Sequence, residues 1–207
     1  MRKACYTAFL LLLLSGCALF EPEKARRAPG GPSGNPQECL ADLRALGARF
    51  EGMADFSTPD GCKISNPVKL ARPGTEMNRP ATMACPLAVA LAQFDSQTLQ
   101  PLARQFLHQG IRKIHHVGAY DCRSQRDGRK LSQHAYGMAI DFWAFELDDG
   151  SVIKVRDDWK GNGPRALFLR KLAEGACNHF HLVLTPASDR DHYDHIHADL
   201  GPWMRCG

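Results

Sequence analysis

Residues 131–155 read Leu131-Ser-Gln-His-Ala-Tyr-Gly-Met-Ala-Ile-Asp-Phe-Trp-Ala-Phe-Glu-Leu-Asp-Asp-Gly-Ser-Val-Ile-Lys-Val155, and they decide the fold class. Met138 to Leu147 has the apolar, aromatic make-up of a strand, Asp148-Asp149-Gly150 is a turn, and Ser151 to Val155 is a second strand. Two strands joined by so short a turn form an antiparallel hairpin. Upstream, Ile111 to Val117 reads as a strand, and before it a helix after Pro101 carries Leu102, Phe106 and Leu107 and ends at Gly110. Cys85 to Phe94 is a helix entered through Pro86, and Cys62 to Leu70 is a strand. Asn35 as cap and Pro36 at the first helical position open a short amphipathic helix with Leu40, Leu43 and Leu46 on one face. Downstream, Gly163 to Cys177 is helical, and Phe180 to Leu184 and Asp194 to Leu200 are strands. Helices and strands follow one another without a regular βαβ rhythm. That order predicts an α+β fold, a mainly antiparallel sheet with flanking helices in a single domain.

The amino terminus has a different character. Arg2 and Lys3 precede an apolar run from Ala8 to Leu14, followed by Ser15, Gly16 and Cys17. This layout is an export signal, and the run is shorter than the roughly 20 apolar residues that span a bilayer. Small residues ahead of Cys17 resemble the bacterial lipoprotein signal, which implies lipidation of Cys17 as the first mature residue. Residues 1–16 are then the signal peptide. Residues 17–37, rich in Pro, Gly and charge, are a lipid-anchored flexible linker, and 38–207 are the folded domain. The expected location is the bacterial cell envelope, anchored by lipid and facing the periplasm. Ala18 after the lipid cysteine, rather than aspartate, resembles the Gram-negative sorting pattern for the outer membrane, which implies that location.

Charge and cysteine narrow the classes further. The chain has 26 Lys and Arg against 22 Asp and Glu; removing Arg2 and Lys3 with the signal lowers the net charge from +4 to +2. So small and scattered an excess argues against nucleic-acid binding. Cys39, Cys62, Cys85, Cys122, Cys177 and Cys206 remain in the exported domain with no CxxC pair, which points to disulfides rather than a thiolate metal site. Cys122 with Cys177 as a staple over the candidate site, Cys39 with Cys62, and Cys85 with Cys206 is the expected pairing.

The chemistry concentrates in two segments. In the first, His134 and Asp141 are potential metal ligands, and Gly137 lets the backbone turn between them. In the second, His192-Tyr-Asp-His-Ile-His-Ala-Asp199, strand alternation sends His195, His197 and Asp199 to one face. One imidazole of the His195/His197 pair added to His134 and Asp141 gives three protein ligands, the number that leaves a catalytic zinc an open position. The other imidazole is free for proton transfer. His108, His115, His116, His179 and His181 lack such spacing and read as hydrogen-bonded or surface histidines.

Ser132-x-His134-x-x-Gly137-x-Ala139-x-Asp141 with a later His195-x-His197 resembles the signature of the zinc peptidases that include D-alanyl-D-alanine peptidases, lysostaphin-type enzymes and the hedgehog domain. Within that group the chain most resembles the bacterial extensin-like protein C-terminal family, through Gly118-Ala-Tyr-Asp-Cys-Arg-Ser124 and the two segments above. The resemblance implies one zinc ion held by His134, Asp141 and His197, with His195 as the proton-transfer partner. It also implies Arg123 as the holder of developing negative charge. No glutamate lies between Glu174 and the end, so the base that several relatives place there must be His195, Asp194 or Asp199. With the export signal, the resemblance implies a metallopeptidase acting on peptidoglycan stem peptides. A cross-link endopeptidase comes first, a D-Ala-D-Ala carboxypeptidase second; a zinc-containing cell-wall-binding lipoprotein without activity is the rival from another class.

Overall fold

The computed structural model describes residues 35–126, 128 and 130–206; the export signal, Cys17 and most of the expected linker lie outside the described residues. Helix α1 (Pro36–Ala45) starts where Asn35 Oδ1 accepts the Gln37 N–H at 3.0 Å, with Pro36 at its first position. It buries Cys39 and Leu43 and ends at Gly47, in the left-handed region at φ 73°, with Ala48 N–H bonded back to the Leu43 carbonyl.

Two small sheets and one large one follow in mixed order. Strands β1 (Arg49–Gly52), β4 (Pro67–Arg72) and β6 (Ala81–Ala84) form an antiparallel sheet, and β2 (Phe56–Ser57) pairs with β3 (Lys63–Ile64). The expected single strand from Cys62 to Leu70 is thus two strands. It breaks at Asn66, which takes φ 52° while its N–H bonds Asp55 Oδ1 at 2.7 Å. The seven-stranded sheet is built from β5 (Glu76–Met77), β7 (Ile111–His116), β8 (Ala139–Leu147), β9 (Val152–Lys154), β10 (Leu182–Leu184), β11 (Ile196–Asp199) and β12 (Arg205–Cys206). Its order is β12-β10-β11-β8-β7-β5, with β9 also on β8; all pairs are antiparallel except β10/β12 and β5/β7. This is the expected α+β architecture.

Helices α2 (Cys85–Phe94) and α3 (Gln100–Leu107) are joined by a π-helical turn over Asp95–Leu99, so they form one continuous rod rather than two separate helices. Pro101 explains the turn: a proline in an ordinary helix lacks an N–H and collides with the carbonyl four residues back, and the wider π turn relieves that conflict. The rod ends at His108 in the left-handed region, two residues before Gly110.

After α4 (Val155–Asp158), helix α5 (Pro164–Ala176) packs against α3. The helices cover one face of the large sheet. Phe94 meets Phe142 and Phe180 at 5.8 and 5.6 Å, and Phe145 meets Phe168 at 6.0 Å, all with buried side chains. Each such phenyl contributes about 2 kcal/mol by leaving water. Because β8 spends Ile140, Phe142 and Phe145 on that face, Asp141, Trp143 and Glu146 stand on the other.

All six domain cysteines form disulfides, but with a different pairing from the expected one: Cys39–Cys85, Cys62–Cys122 and Cys177–Cys206. Helix α1 lies on α2, so Cys39 meets the first residue of α2 and not Cys62. Cys122 does sit beside the candidate site, yet its neighbour there is the β2–β3 hairpin. Cys177, at the end of α5, instead ties down β12.

Candidate metal centre

His134 lies in a 3-10 turn, Gln133–Tyr136, capped by Ser132 Oγ on the His134 N–H and closed by Gly137 at φ 61°. Gly137 is required there twice over. A Cβ would stand 2.6 Å from Ile64 Cδ1 and 2.9 Å from the Ala84 nitrogen, and the backbone is left-handed. Asp141 is the third residue of β8 and His197 the second of β11, and the two are direct register partners.

The three side chains converge in a buried spot. Exposure is 2% for His134 and 8% for both Asp141 and His197. His134 Nε2 stands 3.1 Å from Asp141 Oδ2 and 3.3 Å from His197 Nδ1, and His197 Nδ1 is 2.8 Å from Asp141 Oδ1. Atoms bound tetrahedrally at the usual zinc distances lie about 3.3 Å apart, so these donors are gathered closely enough to hold one ion. Among the described residues this trio is the group of His, Cys, Asp and Glu side chains gathered closely enough to hold a metal.

The surroundings aim the ligand atoms. His134 Nδ1–H donates to the Ala119 carbonyl at 2.7 Å, which turns the Nε2 lone pair inward. His197 Nε2 meets Asp199 Oδ2 at 3.0 Å, and Asp199 Oδ1 accepts the Gly201 N–H at 2.7 Å, so this ring too presents its other nitrogen to the centre. Burial by itself would raise the Asp141 carboxyl, but hydrogen bonds and charge from His134 and His197 outweigh it and hold the group well below the usual carboxylate range. Burial would likewise lower His197; Asp141 and Asp199 outweigh it and push it up to about 9.

At the rim, His195 Nδ1 meets Asp194 Oδ1 at 2.9 Å, and His195 Nε2 stands 3.8 Å from Asp141 Oδ1. His192, unremarked in the sequence, adds a further imidazole. Its ring is 5.0 Å from His195 and 5.8 Å from His197, and its Nδ1 is held by Asp189 at 2.6 Å. It stands on the turn Arg190–His192 before β11, outside the strand alternation; the Asp189-x-x-His192 capping spacing was the available signal.

Arg123 lies in the loop whose backbone runs beside the His134 segment, with Asp121 N–H on the His134 carbonyl and Ser132 N–H on the Arg123 carbonyl. Its half-exposed side chain pairs with Asp121 at 2.9 Å. Of the five histidines without metal spacing, four are engaged elsewhere, His115 with Glu146, His116 with the Arg79 carbonyl, His179 with Thr98 and His181 with the Gly201 carbonyl, and His108 caps α3.

Residues 37–207 match the family described as extensin-like protein C-terminus. No curated protein and no solved structure matches the chain.

Proposed function

From the premise that the chain belongs to the extensin-like protein C-terminus family, and from its buried His134–Asp141–His197 group, we propose that it is a zinc peptidase of peptidoglycan stem peptides. The single observation that carries this reading is that two imidazoles, each oriented by its own partner, and a carboxylate meet closely enough to share one ion. When bound by three protein ligands, zinc supplies an activated water and a Lewis acid for a carbonyl. His134 and His197 offer nitrogens whose opposite ring positions are already committed, and Asp141 offers the carboxylate.

His195 is the proposed proton carrier, since Asp194 fixes its Nδ1 and leaves Nε2 turned toward Asp141. Arg123 is the proposed holder of developing negative charge, a role that requires its side chain to exchange Asp121 for the substrate. The exported, lipid-anchored reading of Cys17 brings such an enzyme against the cell wall, from the outer membrane side of the envelope. We therefore favour cleavage of cross-links over trimming of a terminal D-alanine. The non-catalytic wall-binding reading draws on the Arg123–Asp121 pair, which engages that guanidinium with a neighbouring carboxylate.

Purified sacculi incubated with the full-length protein, followed by mass spectrometry of the muropeptides, test the proposal. New products that disappear with chelator and with His195→Ala are expected, and their masses identify the bond. Wall binding without new products, unchanged in His195→Ala, overturns it in favour of the binding reading.

A further inference from the structure

The open face of the large sheet continues past the metal group along β8. The β8/β11 register pairs His197 with Asp141 and ends where Ile196, the first residue of β11, meets Phe142; Trp143 is the next residue of β8. On the other side the β7/β8 register jumps from His116↔Phe142 to His115↔Ala144, so Trp143 is the extra residue of a β-bulge. Trp143 shares the open face with Asp141 by strand alternation, and the bulge returns Phe145 to the core. Trp143 is half-buried against the His115 ring, with centroids 5.0 Å apart, and among the described residues its indole N–H has no partner.

Charge follows next along the same face. Glu146 receives Arg112, Lys113 at 3.6 Å and His115 at 3.2 Å, so two permanent cations share one carboxylate and an excess of positive charge remains. Both cationic side chains are about half exposed.

We infer that Trp143 floors a substrate subsite beside the metal group, stacking against the amide planes of a peptide whose free carboxylate is bound by Lys113 and Arg112. The inference rests on the peptidase reading and narrows its substrate to acidic peptides. The indole N–H, on a ring packed against His115, can donate to a peptide carbonyl. A cationic peptide would meet the surplus charge unfavourably.

The test uses the full-length, zinc-loaded protein and a monomeric stem tetrapeptide, with its carboxylates free or amidated. Binding is followed by calorimetry, zinc content is checked in every variant, and cleavage of cross-linked muropeptides is measured in parallel. The free-acid peptide is expected to bind about tenfold more tightly than the amidated one, and Lys113→Gln to abolish that preference. Trp143→Ala should weaken binding by about tenfold and Trp143→Phe, which keeps a ring, by less than about threefold. Unchanged binding in Trp143→Ala, or an unchanged preference in Lys113→Gln, overturns the subsite. Binding with these preferences but without cleavage supports the subsite and overturns the peptidase reading; cleavage without them does the reverse.

Discussion

His197 and Asp141 face each other across β11 and β8 with His197 Nδ1 2.8 Å from Asp141 Oδ1, while the other nitrogen of that ring meets Asp199 at 3.0 Å. One imidazole is therefore held from both sides by carboxylates, and Asp199 decides which nitrogen points to the centre. Asp199→Asn should weaken zinc affinity about 10- to 100-fold while leaving the fold intact. Competition against a chromophoric chelator measures it, and an unchanged affinity would remove Asp199 from the site.

The same arrangement sets a pH dependence. Burial would lower the His197 pKa, but Asp141 and Asp199 push it up to about 9, so below that pH a metal must displace one proton. Apparent zinc affinity should rise about tenfold per pH unit between roughly pH 7 and 8.5 and level off above 9. For the metal-free chain the sign runs the other way. A folded pKa raised above the unfolded value of about 6.5 contributes stability that is complete below 6.5 and lost as pH rises through 9. Thermal scans of the metal-free protein should show its melting temperature falling across that window.

Gly137→Ala should destabilise the protein by about 3 kcal/mol or more, since it combines a left-handed backbone with contacts of 2.6 and 2.9 Å to Ile64 and the Ala84 backbone. Because Gly137 closes the turn carrying His134, metal affinity should fall with stability. Denaturant midpoints and metal titration together check this; a midpoint like that of the parent would contradict it.

Much of this centre was legible in the sequence because its geometry is local. Gly137 between His134 and Asp141, and the period-two spacing of His195, His197 and Asp199, name side chains that only a turn and two strands are needed to gather. What escaped was set by long-range packing. The partner of Cys39 depends on α1 lying on α2, and that of Cys122 on the β2–β3 hairpin reaching the His134 loop. Strict alternation from Asp141 puts both Trp143 and Phe145 on the open face; the bulge that returns Phe145 to the core left no mark in the sequence. The π turn at Asp95–Leu99 likewise answers Pro101 in a way no helical period records.

The disulfides offer a separable pair of outcomes. Cys62–Cys122 and Cys177–Cys206 close loops of 60 and 29 residues, and removing either should cost about 4 kcal/mol in the loop-entropy account. The Cys62→Ser/Cys122→Ser variant should also lose metal affinity, because the segment after Cys122 is hydrogen-bonded to the turn that carries His134. Cys177→Ser/Cys206→Ser should not. A non-reducing peptide map showing other pairs would contradict both.

The most direct measurement is the metal content of the full-length protein as isolated, by elemental mass spectrometry, alongside Asp141→Ala and His134→Ala. One zinc per chain is expected in the parent and close to none in either variant. A folded parent that takes up no zinc on titration, or variants that bind it as the parent does, would contradict the assignment of His134, Asp141 and His197 as a metal centre.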